Sequence, residues 1–192
     1  MRKPFRFSNF TSKIIFIAFA LFAALTNIVN GQVVQTINAT GSGTWMAPCG
    51  VTSVTIELWG AGGGGQRGNG NPAMGGGGSG GGYVKVTYPV TPGTTYNYSV
   101  GSGGSGNSGQ DGEATWFDAS TKLLAVNGVG AGATLTGNNS FGTGATALSS
   151  GNVIDPSATL LFSNYGGNGG NGQNLGTDAS GGGGASGGST QL

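Results

Sequence analysis

The chain has 192 residues, of which 44 are Gly, seven are Lys or Arg, six are Asp or Glu and none is His. The lack of histidine excludes a Ser-His-Asp triad, a zinc site with histidine ligands and acid–base chemistry by imidazole. Hydrophobic residues make up 36% and charged residues 7%, whereas disordered chains usually combine low hydrophobicity with high net charge.

The first 31 residues have the pattern of a secretory signal peptide. Basic residues precede an apolar run from Ile14 to Leu25, and Gly31 provides a small residue at the cleavage site. A run of about twelve residues covers roughly 18 Å as a helix, less than the hydrocarbon core of a membrane. We expect cleavage near Gly31 and a single glycine-rich β domain over residues 32–192 that is secreted, extracellular or displayed on the cell surface.

Removal of the signal peptide changes the charge of the chain. The mature chain keeps three basic residues, Arg67, Lys85 and Lys122, and all six acidic residues, which gives a formal net charge of −3. A nucleic-acid partner normally needs a cluster of basic residues, so we expect none, and we expect no membrane span in the mature chain. Cys49 is the single cysteine, and it is either a buried small hydrophobic residue or half of a bridge to another chain.

Alternation of apolar and polar residues predicts three main strands, at 51–59, 83–90 and 94–100. Pro92-Gly93 between the last two is typical of a type II turn, so residues 83–100 are predicted to form a hairpin. Further short strands are predicted at Val33–Asn38, Ala114–Asp118, Leu123–Asn127 and Ala158–Phe162. Because no segment of the mature chain has a convincing helical stripe of apolar residues, the predicted fold class is all-β.

Glycine is concentrated in five blocks between these strands: Gly62–Gly65, Gly75–Gly82, Gly101–Gly106, Gly166–Gly172 and Gly181–Gly188. Gly/Ser-rich segments are usually flexible linkers. Five such loops would, however, impose a large ordering cost on a compact domain. The alternative is a lattice of extended helices like polyproline II, with three residues per turn, which can pack side by side and pair their backbones because glycine has no Cβ.

The stretches APCGVTSVTIELWGAGGGG, GGGGSGGGYVKVTYPVTPGTTYNYSVGSGG and GQDGEATWF, with the later GGNGGNGQ and SGGGGASGG, resemble the secreted bacterial and phage glycine-rich domains. The resemblance covers most of residues 45–188. It implies an antiparallel β-sandwich, jelly-roll or TNF-like, whose glycine-rich loops pack as polyglycine II helices. The implied fold is similar in principle to the glycine-rich tips of tail-fibre adhesins and to the glycine-rich region of anaplastic lymphoma kinase. It also implies adhesion or recognition at a surface, with no enzymatic activity and no cofactor.

The chain departs from this family pattern at Cys49. It also stops at Leu192 in the middle of a glycine block, and one interpretation is a C-terminal truncation. The glycines assigned to the structural lattice are Gly62, Gly63, Gly64, Gly76, Gly77, Gly78, Gly81, Gly103, Gly167, Gly170, Gly182 and Gly183.

Two motifs could suggest chemistry, and neither supports a catalytic, cofactor or metal assignment. Gly101–Gly106 matches G-x-G-x-x-G, but a dinucleotide site also needs a helix directly after it, and none is predicted. Asp111 and Glu113 would lie on one face of a strand, about 6.5 Å apart, a separation that glycosidases use. We favour a turn at Asp111-Gly112 with Glu113 as a solvated strand start.

The leading hypothesis is a non-enzymatic structural, adhesion or recognition module for an unknown surface ligand, a glycan or a protein; a homo-oligomer is left open. The alternative is a carbohydrate-binding module that uses exposed aromatic residues, with Trp45 and Trp116 as candidate ligand contacts. Core packing is favoured for Trp59 and Trp116, whereas Trp45 is evenly divided between core and surface. A third hypothesis is ice or mineral binding by a flat face rich in Thr and Gly.

Overall fold

The structure is a computed structural model that describes residues 33–69, 73–106, 108–136 and 140–172. The chain divides into residues 1–36 and residues 37–192, and the second unit holds the fold. Its strands are β1 (Gly41–Met46), β2 (Ser53–Trp59), β3 (Gly68–Asn69), β4 (Ala73–Met74), β5 (Tyr83–Pro89), β6 (Thr95–Val100), β7 (Thr115–Phe117), β8 (Leu123–Ala125), β9 (Leu135–Thr136), β10 (Ser140–Phe141), β11 (Val153–Ile154) and β12 (Thr159–Asn164). The predicted signal peptide lies outside the described residues.

Two antiparallel sheets form the body of this unit. The large sheet has the strand order β1-β6-β7-β8-β11, and the small sheet has the order β12-β5-β2. Two short parallel pairs, β10-β4 and β3-β9, lie apart from them. The described residues contain strands and turns but no helix, so the predicted all-β antiparallel sandwich is confirmed.

The core lies between the two sheets and follows the alternation of the sequence. Val84, Val86 and Tyr88 of β5 point into it from the small sheet, while Phe117 and Leu123 contribute from the large sheet. All five side chains are buried. Such inward positions of facing sheets are where apolar burial stabilises a sandwich.

Most predicted strands occur where alternation placed them, with β2, β5, β6, β7, β8 and β12 at those positions. The prediction for residues 33–38 is wrong, because these residues form no strand. The strand β1 was missed: its sequence, GSGTWM, carries little apolar alternation, and it is held by pairing along β6 from Gly41 to Met46.

The predicted hairpin over residues 83–100 is also wrong, although its turn is present. Gly93 has φ of +76°, which suits a glycine in a tight turn. However, β5 pairs with β2 and β12, and β6 pairs with β1 and β7. The chain instead crosses from the small sheet to the large sheet between β5 and β6. Along this crossing Val90 N donates to Thr52 O and Gly93 N donates to Ala47 O.

The glycine-rich segments pack together as a separate part of the unit, which we call the glycine layer. It comprises residues 60–66, 75–82, 101–106, 109–114, 126–132, 142–147 and 165–172, joined by backbone hydrogen bonds. The layer is continuous with the sheets, since residue 60 follows β2 and residue 82 precedes β5. Residues 75–82 are all buried.

Hydrogen bonds in the glycine layer recur every third residue. The amides of Gly60, Gly63 and Gln66 donate to the carbonyl oxygens of Gly82, Ser79 and Gly76, respectively. The same interval appears in four further pairs of backbone hydrogen bonds. The amides of Gly77 and Gly80 donate to the carbonyls of Gly170 and Gly167, and those of Ser79 and Gly82 to Val129 and Val126. The amides of Gly142 and Ala145 donate to Met74 and Gly77, and those of Gly169 and Gly172 to Ala145 and Gly142. A β-ladder repeats every two residues, so the three-residue interval distinguishes these segments from β-strands.

The segments approach so closely that a side chain would not fit at many positions. A Cβ at Gly60 would lie 1.8 Å from Val126 O, and one at Gly63 would lie 2.1 Å from Val129 O. At Gly78 the distance to Gly63 O would be 2.2 Å. Because each obstacle is backbone, it cannot rotate away, and glycine is required at these positions.

Candidate functional site

Ten of the twelve glycines predicted for the lattice lie in the glycine layer. Gly63 and Gly77 donate backbone hydrogen bonds to neighbouring segments, and Gly62 and Gly76 accept them. Gly64 does both, Gly77 also accepts from Ala145, and Gly167 and Gly170 accept from Gly80 and Gly77. Gly78 and Gly81 are packed against backbone, whereas Gly103 is open, with 3.9 Å between a Cβ and Gly62 O. Gly182 and Gly183 lie outside the described residues.

Polar side chains within the glycine layer bind backbone groups of adjacent segments. Ser79, the one non-glycine residue of 75–82, is 1% exposed. Its hydroxyl accepts from Val129 N at 2.7 Å and donates to Val129 O at 3.3 Å. Asn168 Oδ1 and Asn171 Oδ1, three residues apart, accept from the amides of Ala147 and Gly144. Side chains therefore follow the same three-residue interval as the backbone.

Asn152 links the glycine layer to the small sheet. Its Oδ1 accepts from Val126 N at 2.9 Å, and its Nδ2 donates to Asn164 O at 3.1 Å and to Ser163 Oγ at 3.0 Å. A longer contact of 3.3 Å reaches Tyr83 O. Sequence reasoning could not have found this role, because it depends on partners far away along the chain.

The carboxylates of Asp111 and Glu113 bind the glycine layer itself. Residues 111–114 form no strand, so the geometry that would have aligned the pair for a glycosidase is not present. Asp111 Oδ1 accepts from Gly130 N at 2.7 Å. Glu113 Oε2 accepts from Ser102 N and Ser102 Oγ. These hydrogen bonds hold the pKa of Glu113 below its usual value, and the one from the backbone amide has the larger effect.

A third acidic residue, Asp118, is held by the large sheet with φ of +65°. Its Oδ2 accepts from Tyr88 Oη at 2.7 Å and pairs with Lys122 Nζ at 2.6 Å. Burial, and then the carboxylate of Asp118, raise the pKa of the Tyr88 phenol far above its usual value. The phenol therefore stays protonated and serves as a structural donor.

The outer face of the small sheet, turned away from the core, carries three rows of side chains. The register places them as Thr55, Thr87 and Thr159; Glu57, Lys85 and Phe162; and Trp59, Tyr83 and Asn164. A bulge at Leu161 lets Phe162 stand opposite Lys85. Because opposite residues of neighbouring strands share a face, threonines, a charged pair and aromatic rings occupy the same side of the small sheet, which we call the aromatic face.

Trp59 is the most exposed ring of the aromatic face. Its side chain is 49% exposed, so the prediction that it packs in the core is wrong. Thr55 and Glu57 precede it at alternate positions, and this polar pattern is the signal that could have placed it outside. Tyr83, which is fully buried, lies beneath it with ring centroids 5.2 Å apart, and Phe162 contacts Tyr83 at 5.9 Å.

The two tryptophans proposed as ligand contacts occupy different environments. Trp45 packs against the core, with its ring centroid 6.0 Å from that of Phe117 and 6.1 Å from that of Tyr96. Trp45 is therefore partly buried against the core. Trp116 is half-buried and stands beside Ser99 and Leu124 on the outer face of the large sheet, so the expectation of core packing is wrong for it.

Cys49 is exposed and not disulfide-bonded, so the interpretation of a buried hydrophobic residue is wrong. Among the residues that the structure describes, no group of three or more Cys, Asp or Glu side chains could hold a metal ion. In the same part of the chain, no helix has the length and hydrophobicity needed to cross a membrane.

The abundance of glycine in these segments agrees with the comparison to known families. The family model of the glycine-rich domain matches residues 37–192. The chain therefore belongs to the glycine-rich domain family. No curated protein matches the chain.

Proposed function

We propose that the chain is a non-enzymatic structural and recognition module of a secreted or cell-surface protein, with a glycine layer built from polyglycine II helices. The strongest support is the three-residue interval of the backbone hydrogen bonds. Polyproline II has three residues per turn, with backbone groups that point outward. In such a helix, amide donors three residues apart point to the same neighbouring segment. The hydrogen bonds from 60–66 to 75–82 have this spacing.

Stiffness is the property that this arrangement would supply to a recognition module. Residues 75–82 bond to four other segments, 60–66, 126–132, 142–147 and 165–172. A segment held on several sides has far less freedom than a Gly/Ser linker. The layer would then hold the exposed surfaces of the module in fixed positions, which lowers the entropy cost of binding a partner.

A structural role also agrees with how the acidic residues are used. In the described part of the chain, Glu57, Asp111, Glu113, Asp118 and Asp155 all accept hydrogen bonds from neighbouring groups of the fold. A general acid or base needs a carboxyl group that can reach substrate. These contacts favour structural use of the carboxylates, and the sequence contains no histidine to replace them.

Export is proposed from the basic and apolar segments of residues 1–31. Antibody labelling of intact producing cells and of their culture medium tests it, because an exported module is labelled without permeabilisation. Recognition is tested by the retention of the purified chain on a panel of intact bacterial and eukaryotic cells. We expect saturable retention on at least one cell type. Retention on none of them would contradict a recognition role.

A further inference from the structure

The aromatic face of the small sheet has the composition of a surface that binds an amphipathic ring. It combines one half-exposed indole, that of Trp59, with threonines and a charged pair. Rows two residues apart along a strand are about 6.6 Å apart, and neighbouring strands are about 4.8 Å apart. The whole face is therefore wide enough for a small number of ring-sized units.

The indole of Trp59 is held in position before any ligand arrives. Tyr83 supports it at a centroid distance of 5.2 Å and an interplanar angle of 46°, and Phe162 supports Tyr83 from the other side. Trp59 also ends β2 directly before the glycine layer, where Gly60 N donates to Gly82 O at 2.8 Å. A ring whose position is already fixed loses little freedom on binding.

Polar groups occupy the row next to this indole on the aromatic face. Glu57 and Lys85 form an ion pair of 2.9 Å, with side chains 34% and 30% exposed. Tyr83 Oη donates to Glu57 Oε2 at 2.9 Å, which fixes the carboxylate. A carboxylate accepts several hydrogen bonds and an ammonium donates three, so both groups can also bind hydroxyls of a ligand.

We infer that the aromatic face binds a pyranose ring of an uncharged glycan, stacked on Trp59 with its hydroxyls directed to Glu57 and Lys85. A pyranose presents C–H groups on its faces and hydroxyls around its edge, which complements an indole bordered by donors and acceptors. This inference deepens the proposed recognition function and rests on it.

Two other classes of partner fit this face less well. A nucleic acid needs several cations for its phosphates, and the one cation here, Lys85, is paired with Glu57. A protein interface needs a desolvated apolar centre within about 800 Å² on each partner. Of the nine outer-face residues, only Trp59 is a large apolar side chain with high exposure, although Leu160 and Leu161 on the edge strand are each about half exposed.

The inference is tested by retention of the purified chain on cellulose, chitin, β-1,3-glucan and mannan, followed by competition with soluble oligosaccharides. We expect retention on at least one of them. Trp59→Ala should weaken retention about tenfold or more, as expected when an aromatic anchor is lost, while Trp59→Phe should keep most of it. Phe141→Ala, at an exposed aromatic side chain of β10 outside the small sheet, is the matched control and should bind normally. Melting temperatures identify variants that fail to fold.

Three results would overturn the inference: no retention on any of the four polysaccharides, equal losses for the two alanine variants, or full retention of folded Trp59→Ala. Pretreatment of the target cells separates this failure from failure of the recognition function. A glycan partner is removed by the matching glycoside hydrolases: cellulase, chitinase, β-1,3-glucanase and mannanase. If cell binding instead survives all four hydrolases and is lost on protease treatment, the glycan inference fails and recognition of a protein stands.

Discussion

The hydroxyl of Ser79 binds both backbone polar groups of Val129, accepting from the amide at 2.7 Å and donating to the carbonyl at 3.3 Å. The amide of Ser79 donates to the same carbonyl at 2.8 Å. One serine inside a block of glycines thus fixes the position of residues 126–132 against residues 75–82. The interruption of the block is a structural feature of the layer.

Ser79→Gly would restore a continuous glycine block and is nonetheless expected to destabilise the protein. It leaves Val129 N without its hydroxyl partner, which costs about 1–2 kcal/mol. Thermal unfolding should show a melting temperature lower by about 3–6 °C for a domain of this size. The control is Ser105→Gly at an exposed position of another segment, where a similar loss would contradict the role assigned to the Ser79 hydroxyl.

Gly62 and Gly63 provide a matched pair within one segment. A Cβ at Gly63 would lie 2.1 Å from Val129 O, whereas at Gly62 the nearest atom, Ser79 O, would be 3.6 Å away. Neither residue has positive φ, so the two alanine variants differ in packing alone. Chemical denaturation should show a loss of about 3 kcal/mol for Gly63→Ala, at the upper end of overpacking costs.

Gly62→Ala should change the free energy of unfolding by about 0.5 kcal/mol or less, as is usual away from buried features. Equal stability of the two variants would mean that the segments do not pack as closely as described.

Asn152 is expected to be the most sensitive asparagine among the residues that the structure describes. Asn152→Ala removes the hydrogen bond to Val126 N and those to Asn164 O and Ser163 Oγ. The partly buried partners are then left unpaired, which should cost about 2–3 kcal/mol. Urea unfolding measures this loss. Asn97→Ala, at an exposed position of β6, is the control, and an equal effect there would argue against the special role of Asn152.

Acid should weaken the aromatic face through Glu57. The hydrogen bond from Lys85, with a further one from Tyr83, lowers the pKa of Glu57 below its ordinary value of 4.5, and burial opposes this only in part. A lowered folded-state pKa stabilises the protein above the unfolded-state pKa, and this stabilisation is lost as the pH falls through the folded-state value. Free energies of unfolding should therefore decline as the pH is lowered below about 5.

Glu57→Gln should make this acid decline shallower, and Lys85→Met should do the same by removing the partner. Part of the decline should remain in both variants, because hydrogen bonds also lower the pKa values of Glu113 and Asp155. Identical pH profiles for Glu57→Gln and the natural chain would show that the ion pair contributes nothing to stability.

Alternation predicted the sandwich because its strands bury one face. In β2, Val54, Ile56 and Leu58 point inward, and the same pattern, read fully, places Trp59 outside. The hairpin failed because a turn fixes local geometry but does not determine with which strands its two arms pair. Strand β1 has almost no apolar pattern and depends on pairing with β6.

The glycine layer was only partly predictable for a related reason. Uninterrupted glycine blocks such as 75–82 stand out in the sequence. Segments 109–114, 126–132 and 142–147 do not, because they need a small residue only where a neighbour's backbone approaches. At Gly112, Gly128 and Gly144 a Cβ would come within 2.5 Å of backbone, while the residues between them carry ordinary side chains. Which position meets a neighbour depends on packing, and composition does not encode it.

The most direct test of the account is hydrogen exchange of individual amides, measured by NMR on the purified chain. If residues 75–82 form an ordered polyglycine II helix inside the layer, the amides of Gly77, Ser79, Gly80 and Gly82, which donate to neighbouring segments, should be protected to a degree similar to the amides of β5. Exchange of these four amides at the rate of an unstructured chain, with β5 still protected, would contradict the account and leave a sandwich with flexible glycine linkers.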